Sequence, residues 1–259
     1  MRVALAVEYA GSAFCGFQSQ PSRCGVQDAL EHAIASIAGH EVTVVASGRT
    51  DAGVHAASQV VHFETESLRP ESAWVRGVNS HLPRTAAVLW SQAVADDFHA
   101  RFSATARHYT YLLENRPQRP GLLAGRVGWY HNPLDVEAMQ AAAAALAGTH
   151  DFTSFRAAEC QAKSPVRTMH GASVTCDGPF VRFDFGANAF LHHMVRNIVG
   201  ALVAIGAGRM PPAWLRELLE ARDRTLGAAT FAPDGLYFAG ADYDVRFGLP
   251  PTVRRVEIV

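Results

Sequence analysis

The sequence predicts an α+β protein built from two similar halves, and the order of its hydrophobic segments is the first reason. Val3 to Tyr9 reads as a strand, and Val26 to Ala38 has apolar residues at helical spacing and stops at a glycine. The first half follows a βαββαβ-like order, which resembles half of a split ferredoxin-like fold. Strands and helices then recur, so we place the domains at residues 1–105 and 106–259.

The remaining elements of the first half follow from short β-branched runs and one helical segment. A glycine-rich loop, GSAFCGFQSQPS, separates the first strand from the first helix. After that helix we predict strands at Val42–Ala46, Gln59–Glu64 and Ala87–Val94, with a helix near Glu71–Asn79 before the last of them.

The second half begins with a strand at Arg107–Glu114 and a Pro/Gly loop, RPQRPG. The turn sequence DGP separates two β-rich runs and predicts a hairpin, which makes the sheet antiparallel at this point. The other predicted elements are the helices Asp135–Ala147, Leu191–Gly206 and Pro211–Arg222, the hairpin strands Met169–Cys176 and Phe180–Phe185, and a late strand, Leu236–Tyr243.

Composition predicts a soluble, cytoplasmic protein with a substantial core. Of the 259 residues 49% are hydrophobic, yet the longest apolar run, Ile198 to Gly208, is shorter than the roughly 20 residues of a membrane span. The N-terminus lacks the features of a signal peptide. Four cysteines occur without a CxxC pair or the density of a disulfide-rich protein, so we expect a reducing compartment.

Charge gives a weak indication of a nucleic-acid partner. The net charge is −1, but of the 23 basic residues every one except Lys163 is arginine, the residue best suited to phosphate and base contacts. A codon bias in a GC-rich genome explains the same excess. One segment is locally basic and predicts a phosphate-binding patch or a solvated surface; its arginines are Arg101, Arg107, Arg116, Arg119 and Arg126.

The segment ASGRTDAGVHAA, from Ala46 to Ala57, is the strongest candidate for chemistry. Its small residues connect two strands and leave room for a bulky ligand near Asp51. Three interpretations remain open from the residues alone: an ordinary turn, half of a metal site, or a catalytic carboxylate on a loop. The metal interpretation uses Asp51 and His55, with His62 as a possible third ligand, but no further motif completes a zinc site.

Other catalytic signatures are weak or absent from the sequence. His192 and His193 fall on a predicted helix, where neighbours point about 100° apart and seldom share an ion. There is no GxSxG elbow, no GxxxxGK[ST] loop and no GxGxxG after a strand. We therefore expect no metal and no cofactor.

Six segments, in order along nearly the whole chain, resemble the TruA-type tRNA pseudouridine synthases. They are YAGSAFCGFQSQ, GRTDAGVHA with QVVHFET, DDFHARFSATARHYTY, DFTSFR, NAFLHHMVRNIVGALVAIG and DRTLGAATFAPDGLYF. The resemblance implies the pseudouridine synthase fold, with a mainly antiparallel sheet and a central cleft. It implies isomerisation of uridine to pseudouridine at positions 38 to 40 of the tRNA anticodon stem-loop, by a homodimer without a cofactor.

The same resemblance assigns roles to individual residues. Asp51 matches the essential carboxylate of the family, Tyr109 the tyrosine that stacks on the target uracil, and Arg196 the basic partner of the aspartate. Arg49 matches the arginine that holds the flipped nucleotide or fills its gap. Further substrate-binding roles fall on His55, which we expect mainly to order the loop, and on Leu236, which matches an apolar residue beside the uracil.

Two other classes of function are compatible with parts of the sequence. A glycosidase or nucleoside hydrolase also weakens a C1′ bond, but it usually needs a second carboxylate, and the available ones (Asp96, Asp97, Asp151 and Asp184) do not lie in a comparable loop. A non-catalytic RNA-binding module would make Asp51 dispensable. The products formed from an RNA substrate distinguish the three.

Overall fold

A computed structural model describes residues 1–257 and divides the chain into two compact units. Unit 1 contains Met1–Ala106 and the C-terminal segment from Tyr237 onwards, and unit 2 contains Arg107–Leu236. The sequence placed the last strand in the second half, whereas the structure groups it with the first. The reason is that Tyr237 and Phe238 of the last strand pair with residues 55 and 56 of the first half. Within residues 1–257, no helix has both the length and the apolar character needed to cross a membrane.

The sheet of unit 1 has the strand order β4-β1-β3-β10, and β2 pairs with β3. Strand β1 is antiparallel to β3 and to β4, whereas β10 pairs with β3 in parallel at Tyr237↔His55 and Phe238↔Ala56. The strands are β1 (Arg2–Tyr9), β2 (Val45–Ala46), β3 (His55–Glu64), β4 (Ala86–Val94) and β10 (Leu236–Tyr243).

Two helical segments cover one face of this sheet. Helix α1 spans Val26–Ala38 and ends, as predicted, at Gly39, whose φ of 78° is the left-handed conformation that glycine adopts easily. A π-helical turn at Ala73–Gly77 leads into the short helix α2, Val78–His81. Trp74 of that turn packs edge-on against Phe63 of β3, with 5.2 Å between ring centroids.

The opposite face of the sheet is covered by a second apolar cluster. Ala4 of β1 and Val60 of β3 pack there with Phe98, Ala100 and Phe247. Both faces of β1 are therefore buried, which explains its nearly continuous hydrophobic sequence.

His62 lies on this second face and is buried as a neutral imidazole. Its Nδ1 accepts a hydrogen bond from the Ala100 amide at 3.1 Å. Burial lowers the His62 pKa to about 4, and the nearby His99 and Arg2 act in the same direction against a smaller opposite effect of Glu64.

A pH-dependent loss of stability follows from this histidine. Its pKa is lower in the folded chain than in the unfolded one, so the stability is complete above about pH 6.5 and decreases as the pH falls toward 4. We expect His62 to account for about 2 kcal/mol of that decrease after allowance for solvent screening. Urea unfolding at pH 7 and pH 4.5 measures the decrease in the free energy of unfolding. In the His62→Asn variant this decrease should be smaller. An equal pH dependence in both proteins would contradict the assignment.

The sheet of unit 2 has the order β5-β9-β8-β7, with each neighbouring pair antiparallel, and β6 pairs in parallel with β5. The predicted DGP hairpin is confirmed: Asp177 pairs with Phe180 at its turn. The strands are β5 (Ala104–Asn115), β6 (Gly128–Tyr130), β7 (Gly148–Asp151), β8 (Val166–Asp177) and β9 (Phe180–Ala187).

Three helices complete unit 2. Helix α3 spans Val136–Ala143 and is capped by Asp135, whose side chain accepts from the Ala138 amide. Helix α4, Met194–Gly206, is buried at nearly every position and contacts α3, while α5, Trp214–Ala221, is amphipathic. The expectation of an α+β protein with a mainly antiparallel sheet is confirmed.

Candidate active site

The loop between β2 and β3 begins with a polar clamp. The Ser47 hydroxyl donates to the side-chain oxygen of Gln59, and the Gln59 amide donates back to the Gly48 carbonyl at 2.6 Å. Gln59 lies on β3 and is fully buried. Because both ends of its amide are bonded to the loop, the strand fixes the first turn of the loop.

The middle of the loop is held through Thr50. Its buried hydroxyl forms a 2.8 Å hydrogen bond with the Tyr9 hydroxyl, and its carbonyl accepts from the Phe17 amide at 2.9 Å. The Tyr9 pKa is raised, mainly by burial, so this phenol remains protonated. Tyr9 is the last residue of β1, and thus the central strand of unit 1 supports the residue next to Asp51.

Thr50 is buried, but its two neighbours are accessible to solvent. Arg49 is exposed and Asp51 is half-buried. The Val54 amide donates to the Asp51 carbonyl at 3.1 Å, which closes a turn after the carboxylate. An anchored backbone with an accessible carboxylate is suited to nucleophilic or general-base chemistry, because little reorganisation is needed.

His55 is buried at the start of β3 instead of lying in the open loop. Its Nδ1 accepts from the Gly11 amide at 3.0 Å, and its ring stacks on Tyr237 with centroids 4.6 Å apart. Since Nδ1 is an acceptor, the proton of the neutral ring is on Nε2. This position supports the loop-ordering role; a direct RNA contact stays a prediction.

Tyr9→Phe tests the support of the loop. Removing the phenolic hydroxyl leaves the buried Thr50 hydroxyl without this partner, and we expect a loss of about 1–2 kcal/mol in unfolding free energy. We also expect a several-fold lower kcat. Tyr243→Phe is the matched control, because Tyr243 of the same unit donates to the Ala100 carbonyl at 2.6 Å. An equal loss of kcat in the two variants would contradict a specific role of Tyr9.

Unit 2 holds the other predicted site residues, beginning with Tyr109 on β5. Tyr109 is half-buried and its ring packs edge-on against Phe190 at 4.9 Å. Two residues further, Tyr111 is fully buried and donates to the Ala232 carbonyl at 3.0 Å. Tyr111 therefore belongs to the core of unit 2, whereas Tyr109, two residues earlier on the same strand, remains partly accessible.

Arg196 lies on α4 and is half-buried, although the helix is otherwise almost entirely apolar. Its Nε donates to the Phe231 carbonyl at 2.8 Å, and the Phe231 amide donates back to the Arg196 carbonyl at 3.2 Å. The first bond orients the guanidinium, and the second ties the backbone of Phe231 to the helix. Leu236, the first residue of β10, is buried, and its contact with the uracil stays a prediction.

The prediction that His192 and His193 lie on a helix is wrong. Helix α4 begins only at Met194, and His193 has a left-handed φ of 59°. The two rings are therefore not spread around a helix; their centroids are 4.0 Å apart. His192 is exposed and His193 half-buried.

The arginines of the predicted basic segment differ in their exposure and in their bonding partners. Arg116 forms an ion pair of 3.0 Å with buried Glu114, and Arg107 donates to the Asn188 carbonyl at 3.0 Å. Arg101, Arg119 and Arg126 are exposed. The phosphate-binding role of this segment stays a prediction.

Three residues near these positions were not identified from the sequence. Tyr9 and Gln59 hold the loop from neighbouring strands; both open segments that resemble the family, but no role was assigned to either residue from the sequence. Asp234 affects the electrostatics of unit 2: burial raises the pKa of Tyr111, Asp234 adds to that effect, and Arg196 opposes it. The turn sequence PDG marks Asp234, but a turn alone does not reveal a charge that acts on Tyr111.

Comparison with known proteins identifies the class to which this fold and these residues belong. A model of the tRNA pseudouridine synthase family matches residues 5–103 and 142–244. The chain belongs to that family.

Close relatives agree along the whole chain. A protein of Methylobacillus flagellatus is 60% identical over 258 residues, which cover 100% of this chain and 99% of the relative. Proteins of Thiobacillus denitrificans (58% identical; 98% of each chain) and Dechloromonas aromatica (60%; 96% of this chain and 95% of the relative) are also similar. All three are named tRNA pseudouridine synthase A.

Proposed function

We propose that this protein isomerises uridine to pseudouridine at positions 38 to 40 of the tRNA anticodon stem-loop, with Asp51 as the essential carboxylate. The observation that carries the proposal is the anchored loop, on which an accessible Asp51 follows buried Thr50, in a chain of the tRNA pseudouridine synthase family. The resemblance of the GRTDAGVHA segment assigns this aspartate.

The reaction needs one carboxylate and no second substrate. The N1–C1′ bond breaks, the uracil turns, C5 bonds to C1′, and the proton on C5 is lost while N1 gains one. Atoms and electrons balance within the nucleotide. Asp51 acts as nucleophile or as base during detachment and reattachment.

The other site residues are proposed to bind the target nucleotide or to assist the catalytic carboxylate. Tyr109 stacks on the target uracil and assists proton transfer at C5, and its edge-on contact with Phe190 holds the ring in place. Arg196 supplies the positive charge that keeps the catalytic carboxylate ionised, in a direction fixed by Phe231. Arg49 holds the flipped nucleotide or fills the space that it leaves, and Leu236 packs beside the base.

The assembly and location of the enzyme are also proposals. We infer a homodimer that acts in the cytoplasm on tRNA, as the family resemblance implies. Modification of adjacent positions by one site indicates recognition of RNA shape more than of base sequence.

Incubation with unmodified tRNA that carries uridine in the anticodon stem tests the function. Carbodiimide labelling and primer extension should detect pseudouridine at positions 38 to 40, also in the presence of EDTA once the RNA is folded. The RNA mass should not change. Release of free uracil would favour a hydrolase, and binding without any modification would favour a non-catalytic RNA-binding module.

A further inference from the structure

A disulfide joins Cys15 and Cys24 in unit 1, against the sequence-based expectation of a wholly reducing setting. Their Cα atoms are 5.4 Å apart, and the bond closes the segment CGFQSQPSRC. Cys15 is exposed and Cys24 is half-buried, whereas the free thiols are Cys160, which is buried, and Cys176, which is exposed. A small thiol or disulfide therefore has access to the bonded pair.

The closed segment lies directly against the loop of Asp51. The Phe17 amide donates to the Thr50 carbonyl at 2.9 Å. Gly16, at φ 101°, approaches so closely that a Cβ would lie 3.0 Å from the Thr50 carbonyl oxygen and 3.3 Å from the Ala52 nitrogen. Residues on both sides of Asp51 thus contact the disulfide-closed segment.

Backbone hydrogen bonds keep the two cysteines close even without the S–S bond. The Cys15 amide donates to the Cys24 carbonyl at 3.0 Å. On the other side, the first amides of α1 hold the segment: Val26 donates to Gly16 and Gln27 to Phe17, at 3.1 and 2.9 Å. A dithiol held in this way can close again, which is the requirement for a reversible pair.

We propose that Cys15 and Cys24 form a reversible thiol–disulfide site that controls the order of the Asp51 loop. The reactants are a dithiol reductant and a small-molecule disulfide oxidant. On reduction, a thiolate attacks one sulfur of the pair, and the second thiol of the reductant resolves the mixed disulfide. Two electrons and two protons pass to the cysteines, and the reductant becomes a disulfide; oxidation is the reverse.

The effect on activity rests on the proposed function. Opening the ring increases the conformational freedom of residues 15–24, and the Phe17–Thr50 bond then forms for less of the time. Because small displacements of a catalytic group are costly, we expect the reduced enzyme to have a kcat about 3- to 10-fold lower than that of the oxidised enzyme. A disulfide in a cytoplasmic protein is usually of this redox-sensing kind.

The test compares the full-length protein after treatment with oxidised glutathione and after treatment with dithiothreitol. Alkylation and mass spectrometry should find two fewer free thiols in the oxidised form, and single-turnover assays should give the stated decrease on reduction. The Cys15→Ser and Cys24→Ser variants should show the reduced-form rate under both conditions. Cys176→Ser is the control with an exposed, unbonded thiol, and it should respond as the original protein does.

Hydrogen exchange supplies a measurement that does not depend on catalysis. The amide of Phe17 and the peptide covering residues 47–54 should exchange faster in the reduced form. Equal exchange in the two redox forms, equal and measurable rates of tRNA modification in both, or a failure of the pair to oxidise would each overturn the proposal. If neither form modifies tRNA but exchange still differs, the proposed function fails and the redox site stands.

Discussion

Replacing Asp51 with Asn is expected to reduce pseudouridine formation by at least about 10³-fold, because the variant has neither a nucleophile nor a base at this position. The substitution keeps the size of the side chain and retains the hydrogen bonds that Thr50, Ser47 and Gln59 make to hold the loop. We therefore expect the Asp51→Asn protein to fold normally and to bind tRNA with an affinity close to that of the original protein. Single-turnover assays and filter binding measure the two quantities.

Asp96→Asn is the matched control for this experiment. Asp96 is an exposed carboxylate of the same unit, and it is one of the acids that a hydrolase mechanism could recruit. Its replacement should leave the rate unchanged. Retained activity in Asp51→Asn would refute the assignment of the catalytic carboxylate, and a large loss in Asp96→Asn would point to a two-carboxylate mechanism.

Arg196→Ala is expected to lower kcat by about 10²-fold while the KM for tRNA changes much less. A positive charge that stabilises the catalytic anion acts on the chemical step, whereas a phosphate contact acts on binding. The side chain is anchored on Phe231, so its direction is defined before the substrate arrives. Arg196→Lys should recover part of the activity, because it restores the charge but not the guanidinium geometry.

Arg216→Ala controls for the loss of a positive charge from the same unit. Arg216 is exposed on α5, and its replacement should leave kcat unchanged. Steady-state kinetics at several salt concentrations separate an effect of Arg196 on the chemical step from an effect on tRNA binding. If Arg196→Ala weakens RNA affinity as much as it lowers kcat, the residue binds phosphate and does not support the carboxylate.

Local patterns in the sequence were sufficient for most of the fold. Helix α1 and its end at Gly39 followed from spacing and one glycine, and the hairpin at Asp177 followed from its turn residues. Short-range rules were less successful where tertiary contacts decide the conformation. The strand predicted from Val42 is only Val45–Ala46, and α4 begins after the two histidines instead of before them.

The candidate site was predictable only in part, for a physical reason. Asp51 stands out because small residues around a carboxylate form a local pattern. Its support by Tyr9, Phe17 and Gln59 depends on hydrogen bonds between residues far apart in the chain, and no local pattern records them. The Cys15–Cys24 pairing is likewise a property of the folded loop, since cysteine spacing alone does not determine connectivity.

The pairing of β10 with β3 has a consequence for how the chain folds during synthesis. Unit 2 is one continuous stretch, so all of its residues are synthesised before Tyr237 is added. The sheet of unit 1 can be completed only later, because one of its strands comes from the last part of the chain. The edge of β3 that receives β10 therefore stays without that partner throughout translation of the second unit, and during this interval the nascent chain is most exposed to edge-to-edge aggregation and most dependent on chaperones.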